Sequence, residues 1–242
     1  MFILFHLITG FVIGSLLADR LDDRRAILPC VLGALLPDLV DKPLGLFILG
    51  AQFANGRIFS HTLLAAGLIL AIGALAYHRY RSPLLISVGV GVASHQVLDL
   101  MWQDRRSWLY PFYGQFRPIN TEGWFLRELL LELQNPVEWV SGLLLLLLLV
   151  ALLSPGRTKA FAARYGRVLR PLVLGAVPLL TALGLFLVAS GLVRRFTPLT
   201  GWSEPWYNIV GGLVLVLTAF AAYRLSWKIA LLAPDPGVSP GA

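Results

Sequence analysis

Apolar residues run along this chain in long blocks and do not alternate with polar ones. The blocks fall at about 2–18, 26–40, 58–77, 83–101, 136–153, 172–193 and 208–231. Blocks near this length match a helix that crosses a hydrocarbon core of about 30 Å. Lipid admits only helices or closed barrels, and these runs are too long and continuous for barrel strands. SGLLLLLLLVALL at 141–153 is the plainest case. The pattern predicts an all-α, polytopic membrane protein of about six to seven hydrophobic helices, one of them short or broken. The short one is 26–40, which ends at Pro37–Asp38 and reads as a half-span or a strongly tilted helix. Residues 44–54 (LGLFILGAQFA) read as a re-entrant or interfacial piece beside it.

The connections divide the chain. DRLDDRR (19–25) and HRYRS (78–82) are tight charged turns. Residues 102–120 are rich in Trp, Tyr and Arg, as expected at a lipid–water interface. EGWFLRELLLELQN (122–135) has helical character, with Glu128 and Glu132 four apart on what reads as a solvated face. SPGRTKAFAARYGRVLRP (154–171) is a basic loop or a surface helix. The expected organisation is therefore a membrane-embedded site module at 1–120 and an interfacial helix, fifth membrane helix and basic loop at 121–171. A C-terminal helix pair at 172–231 and a disordered tail at 232–242 complete it.

Composition agrees with the pattern. Of 242 residues, 57% are hydrophobic and 14% charged, and mean hydropathy is +0.74; a soluble domain carries about 25% charged residues. The net charge of +7 would suggest nucleic acid in a soluble protein. Here the basic residues sit at the ends of apolar runs, so membrane orientation explains them and no nucleic-acid partner is expected. The single cysteine, Cys30, excludes an internal disulfide and reads as a small buried hydrophobe. The N-terminal block has no basic n-region and contains His6, so it reads as a retained helix and not a cleaved signal. With the N-terminus outside and every block crossing, 12 of the 20 Lys and Arg lie at inner ends. The other eight, Arg194 and Arg195 among them, lie outside, so N-out is the favoured orientation.

Ionisable residues within apolar blocks are expensive and mark function. Here they are His6, Asp38, His61, His95 and Asp99. With helices alternating in direction, His6, Asp38 and His95 each lie 12 residues, about 18 Å, from the inner end of their block. His61 and Asp99 lie 16 residues, about 24 Å, from it. All five thus share the outer half of the membrane, whichever side is outside. His95 and Asp99 are spaced i,i+4 and leave one helix face together. Imidazole and carboxylate donors suit zinc, with manganese or iron as alternatives. Asp38, His61, His95 and Asp99 make one four-donor set. His6, with Asp41, could reach a second ion or orient a water, giving one or two metals. Lys42 and Arg57 lie beside these residues and could hold an anionic phosphate, although ordinary interfacial charge is the plainer reading. His78 reads as a surface residue, Asp104 with Arg105 and Arg106 as an ion-pair cluster, and Asp19, Asp22 and Asp23 as turn and cap residues.

The same residues carry a resemblance. HLITG, LGALLPDLVDKP, GRIFSHTLL and SHQVLDLMW followed by WLYPFYG resemble the YdjM-type membrane-bound, metal-dependent hydrolase family over about residues 1–115. By that resemblance His6, Asp38, His61, His95 and Asp99 are its His and Asp positions. The second aspartate departs from a P-D-x-D form and stands here as Asp41. The order His, Asp, His, His-x-x-x-Asp is also distantly similar to part of the ligand order in zinc-dependent phospholipase C and the single-strand-specific zinc nucleases. Their later His and His-x-x-x-Glu ligands are missing here, so a three-metal site is not implied.

The expected function is that of a multi-pass prokaryotic inner-membrane hydrolase. Its site residues His6, Asp38, His61, His95 and Asp99 would use a metal-activated water on a phosphoester, one that can be lipid-linked, with membrane lipid as the partner. A transporter or channel that binds a cation or proton at the same cluster is the alternative, and a non-catalytic membrane scaffold is the third reading.

Overall fold

The computed structural model describes residues 3–153, 155–193 and 205–228, and among these the chain is all-α. Its helices are α1 (Ile3–Leu21), α2 (Ile27–Lys42), α3 (Leu63–Tyr80), α4 (Leu84–Leu98), α5 (Arg105–Trp108), α6 (Trp124–Gln134), α7 (Pro136–Leu153), α8 (Pro155–Leu192) and α9 (Pro205–Lys228). Among the described residues, four stretches are long and apolar enough to cross a membrane: Ile3–Leu21, Leu63–Tyr80, Arg164–Leu192 and Pro205–Arg224. Leu84–Leu98 and Val137–Leu146 are shorter apolar helices. The block expected to be short or broken, α2, is a helix of 16 residues that runs through Pro37 and carries Asp38, Asp41 and Lys42 in its last turns; α4, with 15 residues, is shorter still. The tail at 232–242, and Arg194 and Arg195 with it, lie outside the described residues.

Two boundaries differ from the apolar pattern. The block at 58–77 becomes helical only at Leu63, because Thr62 caps α3 by accepting the Ala65 N–H at 3.0 Å. The basic stretch after 154 is not a loop: it is helical from Pro155 and continues into the next block as one helix of 38 residues.

Met1–Leu145 and Leu146–Ala242 form two compact units. In the second, α8 packs on α9. In the first, α2 packs between α1 and α4, with α3 on the far side of α4. Glycines set these approaches. A Cβ on Gly33 would run into the Val88 carbonyl, and one on Gly91 into the Cys30 carbonyl. Small residues at such crossings let membrane helices touch backbone to backbone. Cys30 is buried there as a free thiol. By contrast α3 turns Leu64, Leu68, Ile72 and Leu75 outward, as a lipid-facing helix should. The α2–α4 approach matters for function because it sets the last turns of both helices side by side. Gly91→Ala is therefore expected to cost about 1–3 kcal/mol or more. Gly67→Ala, where a Cβ meets nothing, is expected to be neutral or stabilising. Thermal unfolding in detergent checks both, and equal midpoints for the two variants would contradict the packing argument.

α1 is anchored from afar. Its first turn presents N–H groups that no earlier turn can accept. The carboxylate of Glu138, in the first turn of α7, accepts the Leu4 N–H at 2.8 Å and the Phe5 N–H at 3.0 Å. A buried negative charge suits a helix N-terminus. This contact fixes α1 immediately before His6.

Candidate metal centre

All the candidate residues lie at one end of the first unit. His6 is in the first turns of α1, and Asp38 lies near the end of α2. His95 is in the last turn of α4, and Asp99 caps that helix. His61 comes from the segment before α3, and this segment must fold back to bring it there. After α2 the chain continues through a π-type stretch, Pro43–Ile48, and reverses. Asn55 N–H donates to the Gly45 carbonyl at 3.1 Å, and a Cβ on Gly45 would collide with the Asn55 carbonyl. Asn55 Nδ2 donates to Arg117 O at 2.8 Å, and Ile119 N–H to Ala54 O at 2.8 Å. Edge-to-face contacts link Phe53, Phe59 and Phe116, with Tyr110 stacked on Phe116. Gln96 ties the same segment to α4. Its Nε2 donates to Thr62 O at 2.9 Å, and its Oε1 accepts the Trp108 indole N–H at 2.9 Å.

Asp41 is the internal anchor of this loop. It is fully buried, and its Oδ2 accepts the Ile58 N–H at 2.9 Å and the His61 N–H at 3.0 Å. Oδ1 accepts the Ser60 N–H at 2.9 Å. The His61 ring also donates, with Nδ1 at 2.7 Å from Oδ2. Asp41 therefore stands behind His61 and is not part of the donor group. A carboxylate on Nδ1–H fixes the tautomer, leaving the Nε2 lone pair as the coordinating atom.

His95 is held by the same logic with a different acceptor. Its Nδ1 is 2.7 Å from the Ala34 carbonyl, which can only accept, so Nδ1 carries the hydrogen. Its Nε2 then presents a lone pair, and it lies 3.1 Å from His61 Nε2. Two neutral rings pinned this way cannot hydrogen-bond to each other; they aim two acceptors at one place. Two carboxylates complete the setting. Asp38 Oδ1 is 3.6 Å from His61 Nε2 and 3.9 Å from His95 Nε2, and Asp99 Oδ2 is 3.9 Å from each. The four donor atoms of Asp38, His61, His95 and Asp99 all lie within 4.8 Å of one another, and all four residues are buried. Two ligands with bonds of about 2.0–2.2 Å to one ion stand at most about 4.4 Å apart, so the pairs at 3.1, 3.6 and 3.9 Å already have ligand spacing and the widest pair would draw in slightly. The group could hold a metal ion.

His6 stands at the edge of the group. Its Nε2 is 3.3 Å from Asp99 Oδ1, and its ring is 4.4 Å from the His95 ring. Two cations are already engaged with the carboxylates. Lys42 Nζ is 2.6 Å from Asp38 Oδ1, and Arg57 Nη2 is 2.8 Å from Asp99 Oδ2. The Lys42–Asp38 pair is close but misaligned, since neither atom has an aligned hydrogen-bond partner. A buried carboxylate oxygen without such a partner beside two imidazole lone pairs is what a cation would satisfy.

Residues away from this end behave differently. His78 is exposed at the other end of α3. Asp23 accepts the Arg25 backbone N–H and caps a short 3-10 turn, and Arg25 hydrogen-bonding beside it holds its carboxyl below the usual range. Asp104 caps α5 by accepting the Ser107 N–H. Glu128 and Glu132 depart from the solvated face expected of them. They are half-buried and line a cavity with Asp38 and Lys42, while Leu126, Leu130 and Leu133 of α6 are exposed. At a membrane surface an amphipathic helix can turn its leucines to lipid and its acids to the protein.

Several apolar helices with a buried His and Asp cluster near one helix-end plane define a polytopic membrane protein with a candidate metal centre. The chain belongs to the YdjM inner membrane protein family, whose sequence model matches residues 1–162. The match runs beyond the motifs, which end near 115, through α6 and α7 into α8. This is an inner-membrane protein. No curated protein and no solved structure matches the chain.

Proposed function

We propose that the protein is a membrane-bound, metal-dependent hydrolase acting on a phosphoester. The observation that carries the reading is the pair of imidazoles pinned through Nδ1, with their Nε2 lone pairs 3.1 Å apart between two carboxylates. Asp38, His61, His95 and Asp99 would hold the ion, with zinc first and manganese or iron next. Such an ion supplies Lewis acidity and lowers the pKa of water near it. Asp41 and the Ala34 carbonyl keep both rings in the ligating tautomer. Lys42 and Arg57, released from the carboxylates, would receive phosphoryl oxygens. His6, 3.3 Å from Asp99, would take up or return a proton at Nε2. Transporter sites are expected near the bilayer midplane. Here the cluster sits within the end turns of α2 and α4 and before α3, which supports chemistry at the membrane surface.

Metal analysis of the purified protein against the double variant His95→Ala plus Asp99→Ala tests the reading. The wild type is expected to hold about one ion per chain and the variant almost none. Hydrolysis of a phosphoester in detergent is expected to follow the metal content. Equal, near-zero metal in both proteins would end the metal claim, and metal without hydrolysis but with ion flux in liposomes would favour transport.

A further inference from the structure

A cavity of about 330 Å³ opens beside the centre, between α2, the π-type stretch after it and α6. Its volume lies at the lower end of the range for small-molecule sites. Leu35, Leu39, Phe47 and Leu129 contribute to its apolar wall, and Asp38 and Lys42 stand at its polar end. Those last two residues belong to the candidate centre as well, so cavity and centre are continuous through Asp38 and Lys42. Leu39 and Phe47 are exposed, so the cavity has an apolar mouth on the outer surface of the first unit.

We propose that this cavity binds the apolar chain of an amphiphilic substrate whose anionic ester group lies at the centre. The position of the ester rests on the hydrolase reading; the chain site rests on the cavity alone. A small water-soluble ester would have no use for an apolar wall and an apolar mouth. An amphiphile uses both ends, since burying its chain is worth free energy for each methylene removed from water. Lys42, at the junction, is placed to meet a single phosphoryl group. Glu128 and Glu132 line the α6 side and disfavour a second anionic group there, so a simple phosphate ester fits better than a polyphosphate. Entry through the apolar mouth also explains why the leucines of α6 face outward: this helix would lie on the membrane surface and roof the site.

The test uses the full-length protein in neutral phosphatidylcholine nanodiscs, once zinc-loaded and once treated with chelator. The probe is dodecyl phosphate with a photoreactive diazirine at the chain end, and labelled peptides are read by mass spectrometry. Labelling is expected on residues 35–47 and 124–132, at about tenfold the level on lipid-facing α3. Unlabelled dodecyl phosphate should compete, and butyl phosphate and inorganic phosphate should not. Leu39→Trp and Leu129→Trp, which fill the cavity, should each lower labelling about tenfold with metal content unchanged. Equal labelling of α3 and α6, or labelling that ignores the competitor, would overturn the chain site. If the variants fold poorly, the competition in wild type still decides. Specific labelling of a protein that binds no metal would keep the chain site and remove the hydrolase reading. Metal binding and hydrolysis without specific labelling would do the reverse.

Discussion

Replacing Asp41 by alanine is expected to cost about 3–5 kcal/mol of stability and most of the bound metal. The size of the effect follows from what the carboxylate does. It is fully buried and accepts three backbone N–H groups, from Ile58, Ser60 and His61, together with the His61 ring. Each buried donor left without a partner costs about 1–3 kcal/mol, and the loop that loses them carries His61. Asp41→Asn separates charge from shape. An asparagine keeps one acceptor oxygen, but its NH₂ must face a donor. If it faces His61 Nδ1, the ring has to shift its hydrogen to Nε2, and Nε2 then cannot ligate. Asp41→Asn is thus expected to fold better than Asp41→Ala and still to bind metal weakly. Metal content per chain and the thermal midpoint in detergent read both effects. Wild-type values of both in Asp41→Ala would show that the carboxylate neither holds the loop nor sets the ring.

The same residue shows where sequence reading stops. The ionisable residues in apolar blocks are visible from composition alone, and helix alternation puts them at one depth. That argument placed His6, Asp38, His61, His95 and Asp99 at one end, and the structure has them there. The set of Asp38, His61, His95 and Asp99 is legible there too, and the structure gathers those four; the hold of Asp41 on His61 is not, because it depends on the fold-back of residues 49–62. The fold-back is held by contacts with residues 110–119 and by Gln96, far away in sequence. Nothing local in LGLFILGAQFANGR announces it beyond its three glycines and Asn55. Gln96 was open to view inside SHQVLD, and Glu138 is a charge in an apolar block like the others. The rule that selects Asp38 selects Glu138 too, although its partner is the start of α1, more than a hundred residues earlier. Glu128 and Glu132 depart from the expected solvated face because acids outward is a rule for soluble helices, whereas α6 turns Leu126, Leu130 and Leu133 outward and its acids to the cavity. The helix across 155–192 is half legible: its basic first half reads as a surface helix as well as a loop, but nothing in its polarity announces that it runs on into the next block.

Removing Lys42 and Arg57 together is expected to make the protein more dependent on metal. Without metal, these two side chains neutralise Asp38 and Asp99, at 2.6 and 2.8 Å. Both carboxylates are about nine-tenths or more buried, and breaking one partner of a buried pair costs about 3–5 kcal/mol. The two pairs are not equal. The Lys42 side chain is 15% exposed and Arg57 is 38% exposed, so solvent screens the second pair and its share is smaller. With metal bound, the same carboxylates are satisfied by the ion, and losing the two cations costs little. The gap between loaded and stripped protein is about 4 kcal/mol for wild type when free metal is a thousandfold over its dissociation constant. It should widen in Lys42→Ala and Arg57→Ala combined, and metal affinity should rise about tenfold for each 1.4 kcal/mol of widening. Phosphoester hydrolysis should fall at the same time, because the groups that receive the phosphoryl oxygens are gone. Thermal midpoints with zinc and with chelator, together with a competition titration for zinc, measure the first effect. Turnover at saturating zinc measures the second. An unchanged gap would mean that the cations and the metal do not compete for Asp38 and Asp99. Tighter zinc with full turnover would mean that they compete but do not hold the substrate.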